Sequence, residues 1–134
     1  MSLTYTSDVK NARAQALVNQ IDAGSSQASI ILYTGSAPID VGVITTELPL
    51  VTLTLPKPCY ASIVNGVISL NVIPEQMVQA TGAAGFARLL NGDGDAIADM
   101  TVGVNGSGED IELPTVDLIQ GSYIRITAGQ ITEG

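Results

Sequence analysis

The run Cys59-Tyr-Ala-Ser-Ile-Val-Asn-Gly-Val-Ile-Ser-Leu-Asn-Val72 decides the fold class. At its centre stands Asn65-Gly66, the pair favoured in a two-residue type I′ turn because both turn positions need a positive φ. Pairing outward from that turn sets Val64 opposite Val67, Ile63 opposite Ile68, Ala61 opposite Leu70 and Cys59 opposite Val72. Opposed residues point to the same side of a sheet, so Ile63, Ile68, Ala61, Leu70, Cys59 and Val72 fall on one apolar face. Tyr60, Ser62, Ser69 and Asn71 fall on the other. Turn chemistry and hydrophobic patterning agree, which predicts a hairpin with one side in the core.

Upstream, Leu50 to Leu55 alternates, with Val51, Leu53 and Leu55 on one side and Leu50, Thr52 and Thr54 on the other, until Pro56 and Pro58 end the strand. Ala28 to Tyr33 is apolar almost throughout and reads as a central strand covered on both faces, with a helix on one of them. Gly35 to Thr46 reads as loop. The one helix is Asp8 to Ala23, where Val9, Ala12, Ala16, Leu17 and Ile21 recur on one face, Ser7 caps the start and Gly24 stops the end.

Downstream, a second hairpin spans Ala84 to Val102 around Asn91-Gly-Asp-Gly-Asp95. A turn at Asp93-Gly94 sets Leu90 opposite Ile97, Arg88 opposite Asp99 and Phe86 opposite Thr101, which gives a cross-strand ion pair. A wider loop would slip that register by one. Ile111 to Thr127 reads as a third hairpin with a loop of Ile119-Gln-Gly121, Gly121 in the left-handed region. Val116 then faces Ile124, Leu118 faces Ser122, Asp117 and Tyr123 share the opposite side, and Arg125 meets Thr115. Punctuation by Gly, Pro and Asn every eight to twelve residues or so belongs to all-β folds. The expectation is one mainly β domain over residues 1–134, an antiparallel β-sandwich of immunoglobulin-like or jelly-roll-like kind. It carries one N-terminal α-helix, followed by seven or eight strands.

Composition excludes whole classes of chemistry. The 134 residues contain no His and a single Cys, Cys59. A Ser-His-Asp triad, a Cys-His dyad and the ordinary zinc, haem and iron-sulfur sites are thereby excluded, as is an intrachain disulfide. A net charge of −8 repels phosphate backbones and anionic lipid, so neither nucleic acid nor membrane is an expected partner. No apolar stretch approaches the roughly 20 residues that span a bilayer. The first twenty residues lack the unbroken apolar core of a secretory signal, so a cytoplasmic origin is the default expectation. No phosphate-binding glycine loop is present.

Three groups of residues carry what candidate chemistry remains. Asn91, Asp93, Asp95 and Asp99 offer closely spaced oxygens for a hard cation. Yet Ala96 and Val102 stand where an EF-hand loop needs Gly and a bidentate Glu, so a turn rich in Asp, Asn and Gly is the simpler reading. Glu109, Asp110, Glu112 and Asp117 form the densest acidic region, which reads as a solvated or subunit-facing patch because no aromatic platform lies beside it for a glycosidase. With Trp absent, Tyr33, Tyr60 and Tyr123 are the side chains left to stack on a sugar or receptor, and Glu109 and Asp110 join them as candidate contact residues. Lys10 and Arg13 read as the wet edge of the helix. Asn65, Gly66, Arg88, Asp99 and Gly121 are assigned structural roles, and no catalytic, cofactor or metal residue is expected.

The stretch Thr81-Gly-Ala-Ala-Gly-Phe-Ala-Arg-Leu-Leu-Asn-Gly-Asp-Gly-Asp-Ala-Ile-Ala-Asp-Met-Thr-Val-Gly103 resembles a family of small, largely uncharacterised proteins of tailed bacteriophages and prophages. The shared pattern is a small-residue strand ending in an aromatic and Arg, a Gly/Asp turn, and an Asp-containing strand closed by Val-Gly. Asp110-Ile-Glu-Leu113 and Gly121-Ser-Tyr-Ile-Arg-Ile-Thr127 look like its closing strands, and Thr34-Gly-Ser-Ala-Pro38 looks like its early loop. This chain departs from the family at Phe86-Ala87, where a Trp-Phe pair is common, and at Met100, where Gly is. The resemblance implies a gene product of phage origin, a virion component. The absence of His, the acidic charge, the abundant Gly and Thr and the expected β architecture suit a protein whose function is a surface, so the expectation is a non-enzymatic structural or interaction protein, head decoration or tail-associated, in the particle or the host cytoplasm. Its expected partners are other copies of itself and other particle proteins.

Overall fold

The computed structural model describes residues 6–24, 26–35, 47–56, 59–126 and 128–132. The chain is mainly β with one N-terminal helix, α1 (Ser7–Ile21). Eight strands form one curled sheet, in the order β2 (Pro49–Thr54), β1 (Ser29–Tyr33), β7 (Phe86–Leu90), β8 (Ala96–Val104), β9 (Ile111–Leu113), β12 (Ala128–Thr132), β4 (Val67–Leu70), β3 (Tyr60–Val64). Two short ladders complete it: β6 (Gly82–Ala83) with β10 (Asp117–Leu118), and β5 (Gln76–Met77) with β11 (Tyr123–Ile124). Ile30, Leu53 and Leu89 from one end of the large sheet, Ile68 from the other, and Ala14, Val18 and Ile21 of α1 share a single buried cluster. The core of the sandwich-like fold thus gathers side chains from both ends of one curled sheet, which is mixed and not purely antiparallel because β8 and β9 run parallel; the described residues form twelve strands, several only two residues long, where seven or eight were expected. Among the described residues no helix is long and apolar enough to cross a membrane. The loop predicted from Gly35 to Thr46 falls mostly outside the described residues.

The helix starts one residue earlier than expected. Thr6 caps it, its Oγ1 accepting from the Val9 N–H at 3.3 Å, because the Ser7 hydroxyl instead donates to Asn65 Oδ1 at 2.8 Å. It also ends before Ala23, with Asp22 as the C-cap and Gly24 at φ +104° beyond. The predicted face is corrected: Ala14, Val18 and Ile21 are buried, while Val9 is exposed. Alanines at 12, 14 and 16 lie around the cylinder, so periodicity alone left two adjacent stripes sharing Leu17 and Ile21. The helix packs against β3 and β4. Asn11 Oδ1 accepts from the Gly66 N–H at 2.9 Å and ties it to the hairpin turn.

That turn is the one expected, with φ of 50° at Asn65 and 79° at Gly66. Val64 faces Val67, Ile63 faces Ile68 and Ser62 faces Ser69. A bulge at Ala61 then shifts the register, so that Tyr60 faces Leu70 and the Asn71 N–H donates to the Cys59 carbonyl. Two expectations fall with it: Val72 is 91% exposed and not in the core, and Tyr60 turns to the core side, where it packs on the buried cluster. One extra residue is enough for this, because side chains alternate with period two.

β1 lies between β2 and β7, with Ile30 and Leu32 fully buried and the alternate side chains half-buried. Val51, Leu53 and Leu55 are buried as their alternation implied; Leu50 joins them because the β1–β2 ladder slips near Leu32 and Tyr33. The third hairpin is overturned. The turn itself forms, with the Ser122 N–H donating to the Ile119 carbonyl and Gly121 at φ +91°. Its two arms do not pair with each other, however. Asp117 and Leu118 pair with β6, Tyr123 and Ile124 pair with β5, and Arg125 lies outside any strand.

Candidate functional site

Most of the polar side chains singled out from the sequence lie on or beside β7 and β8. Opposed residues on β1, β7 and β8 form two adjacent rows on the side away from the Ile30 and Leu89 core: Tyr33, Phe86 and Thr101 in one, Ile31, Arg88 and Asp99 in the next. The Tyr33 and Phe86 rings stack at 5.1 Å, and the Arg88 guanidinium lies 6.0 Å from the Phe86 ring centroid. Asp99 grips Arg88 twice, Oδ1 accepting from Nε at 2.7 Å and Oδ2 from Nη2 at 3.0 Å. Planar fork-to-carboxylate pairing of this kind fixes direction as well as charge. The hydrogen bond to Asp99 pushes the Arg88 guanidinium above its already high ordinary value, so this cation is permanent.

The register that makes the pair survives a wider loop than expected. Leu90 faces Ala96 and not Ile97, and the slip is absorbed at that end of the hairpin, leaving Arg88 opposite Asp99 and Phe86 opposite Thr101. Asn91 Oδ1 accepts from the N–H groups of Asp93 and Asp95, both at 3.0 Å, which is how a side chain builds a turn. The turn also docks on the helix exit, the Gly92 N–H donating to the Ala23 carbonyl at 3.2 Å.

The acidic region has a comparable task. β8 and β9 are parallel neighbours, Val102 beside Ile111 and Val104 beside Leu113, although a parallel connection ordinarily needs about a dozen residues. Here the chain reverses twice between Val104 and Ile111. Glu112 accepts from the N–H groups of Gly106 and Gly108 at 3.2 and 2.9 Å. Asp110 Oδ2 accepts from the Thr101 N–H, while the Asp110 N–H donates to Thr101 Oγ1. Gly103 lets the loop lie this close, since a Cβ there would meet the Ser107 and Glu109 side chains. Glu109 is exposed, and Asp117 sits elsewhere, at the β6 ladder. Glu112→Ala should cost about 1.5 kcal/mol in urea unfolding, since its carboxylate is the acceptor for two loop amides, and Glu112→Gln should retain part of that.

The three tyrosines are not brought together. Tyr33 is half-buried in the stack with Phe86, Tyr60 packs inward at the far edge of the sheet, and Tyr123 stands 64% exposed opposite Met77. The Tyr123 and Met77 pairing lacked a local signal because it joins segments about forty-five residues apart. The clasp of Glu112 did have one: glycines two apart followed by an acid.

Cys59 is fully buried, and its N–H donates to Asp22 Oδ2 at 3.4 Å. Burial, reinforced by the Asp22 charge and hydrogen bond, pushes the thiol up from 9.0 to about 12. An unfolded chain therefore gives up this proton first as pH rises. The stabilisation from a neutral thiol is complete below about pH 9 and is lost as pH climbs through about 12. Two results are expected: an aromatic disulfide reagent at about pH 8 labels the thiol only after denaturation, and Cys59→Ala flattens the alkaline fall in stability.

Neither a scan against protein-family models nor searches of curated proteins and solved structures gave a match.

Proposed function

We propose that this chain is a non-enzymatic structural protein of a bacteriophage or prophage particle. It would serve as a head decoration or a tail-associated component, through contacts with copies of itself and with other particle proteins, in the virion or the host cytoplasm. The observation that carries this reading is how the surface is divided. Asp99, Asp110 and Glu112 are engaged in holding strands and loops in register. Val64, Val72, Ile119 and Tyr123 are large side chains left mostly exposed. A protein arranged in this way offers contact area and not reacting groups. The resemblance of residues 81–132 to phage proteins adds to it.

The test is to induce prophage in the source strain, purify particles on a density gradient and quantify this chain by mass spectrometry. Stoichiometric presence supports the reading, many copies meaning decoration and few meaning tail. Absence from intact particles, with the chain present in the lysate, overturns it. A second reading, a carbohydrate- or receptor-binding module on the particle, keeps one observation, the exposure of Tyr123 beside Met77. Under it, tyrosine fluorescence would respond to a glycan panel, and Tyr123→Ala would abolish the response.

A further inference from the structure

The two edges of the large sheet are treated differently. At one, β2 is partly closed by the chain itself, the Leu50 carbonyl accepting from the Gln79 N–H at 2.8 Å. At the other lies β3. In a two-residue hairpin the residues flanking the turn, Val64 and Val67, exchange hydrogen bonds. The next pair, Ile63 and Ile68, turn their N–H and C=O groups outward. Ile68 turns its groups to β12, where it pairs with Ile131. Ile63 turns its groups to the open edge, and among the described residues no hydrogen bond reaches its main chain from beyond the hairpin.

Edges are ordinarily protected by charge or by proline. This one has neither: Cys59 to Ile73 contains no charged residue and no proline, in a chain of net charge −8. We infer that the β3 edge is a strand-pairing interface for a second copy of this chain, antiparallel about Ile63, so that the two sheets join into one ladder. This rests on the reading of the chain as a protein that works by contact, and it names one such contact.

A second copy is the occupant the charges select. Two molecules of net charge −8 repel wherever their acids approach, whereas this hairpin is a neutral stretch on which they can meet. The edge is also self-complementary. A two-fold axis at Ile63 sets each Ile63 against its equivalent and places Val64, 60% exposed, beside Ser62 of the other copy. The bulge at Ala61 limits the straight run, so the contact is short and its strength in a particle comes from multiplicity.

The test uses the purified full chain in sedimentation equilibrium up to about 1 mM, with amide exchange at Ile63 followed across the same range. A dimer is expected, with the Ile63 amide protected only as dimer forms. Val64→Glu sets a carboxylate on the interface and should raise the dissociation constant at least about tenfold. Adding Ser62→Lys to that variant should restore pairing, since the introduced charges face each other between copies. Circular dichroism of both variants checks that the monomer still folds. A chain monomeric throughout, or a dimer that Val64→Glu leaves unchanged, overturns the inference. Either result leaves the particle experiment to decide the function independently.

Discussion

Asp99→Ala should remove about 3–5 kcal/mol of stability, enough to consume much of what a domain of this size has. The Arg88 and Asp99 side chains are only 7% and 8% exposed, and the guanidinium remains charged whatever the pH. Stripped of its bidentate carboxylate, that cation must either stay in a poorly solvated row beside Phe86 or force β7 away from β8. Asp99→Asn, which keeps the shape and one acceptor, should lose less. Replacing both partners, Arg88→Met with Asp99→Leu, should recover most of the deficit, because neither buried charge then remains. Urea unfolding of the four proteins at neutral pH measures all of this. A loss below about 1 kcal/mol for Asp99→Ala would mean that water reaches the guanidinium and that the pair behaves as a surface one.

Gly92→Ala should be nearly as damaging, at about 3 kcal/mol. A Cβ there would fall on the Ser26 carbonyl oxygen, with the Ala23 carbonyl 3.1 Å away. Both obstacles are main chain and cannot rotate aside. The turn would have to lift from the helix exit, losing the hydrogen bond from Gly92 to Ala23. Gly94→Ala is the control, two residues away in the same turn. Its Cβ meets nothing within 4 Å, and its cost is only the left-handed φ of +87°, about 1 kcal/mol. Thermal unfolding should therefore separate the two variants clearly, and equal losses would show that the turn does not dock as described.

What could be read in advance was what neighbouring residues determine. Asn65-Gly66 specifies its turn through backbone conformation alone, and the spacing of Arg88 and Asp99 about a Gly-rich turn places them opposite each other. Nothing local marks the bulge at Ala61, since the ladder could run straight with equally apolar residues; only packing of Tyr60 on the core favours the shift. The segment from Ile111 onward misled for a related reason. Its turn at Gly121 is real, yet the arms pair with Gln76–Met77 and Gly82–Ala83, partners that no short-range pattern can nominate. Of the acidic region read as a solvated or subunit-facing patch, Asp110 and Glu112 are instead tied into loop closure. Tyr33, Tyr60 and Tyr123 were grouped by chemistry and are dispersed by topology.

The place of β12 sets the timetable on which the molecule can be made. Among the described residues it follows every other strand in sequence, yet it lies between β9 and β4 and is the lateral link between a five-strand ribbon and the β3–β4 hairpin. Until Ala128–Thr132 has left the ribosome, the nascent polypeptide holds two ribbons with raw flanks along β9 and β4. Joining them late makes maturation slow, as for any topology dominated by distant pairings. Without Ala128–Thr132 the two ribbons would keep open margins along β9 and β4, and a chain lacking this strand is the form most exposed to proteases and chaperones.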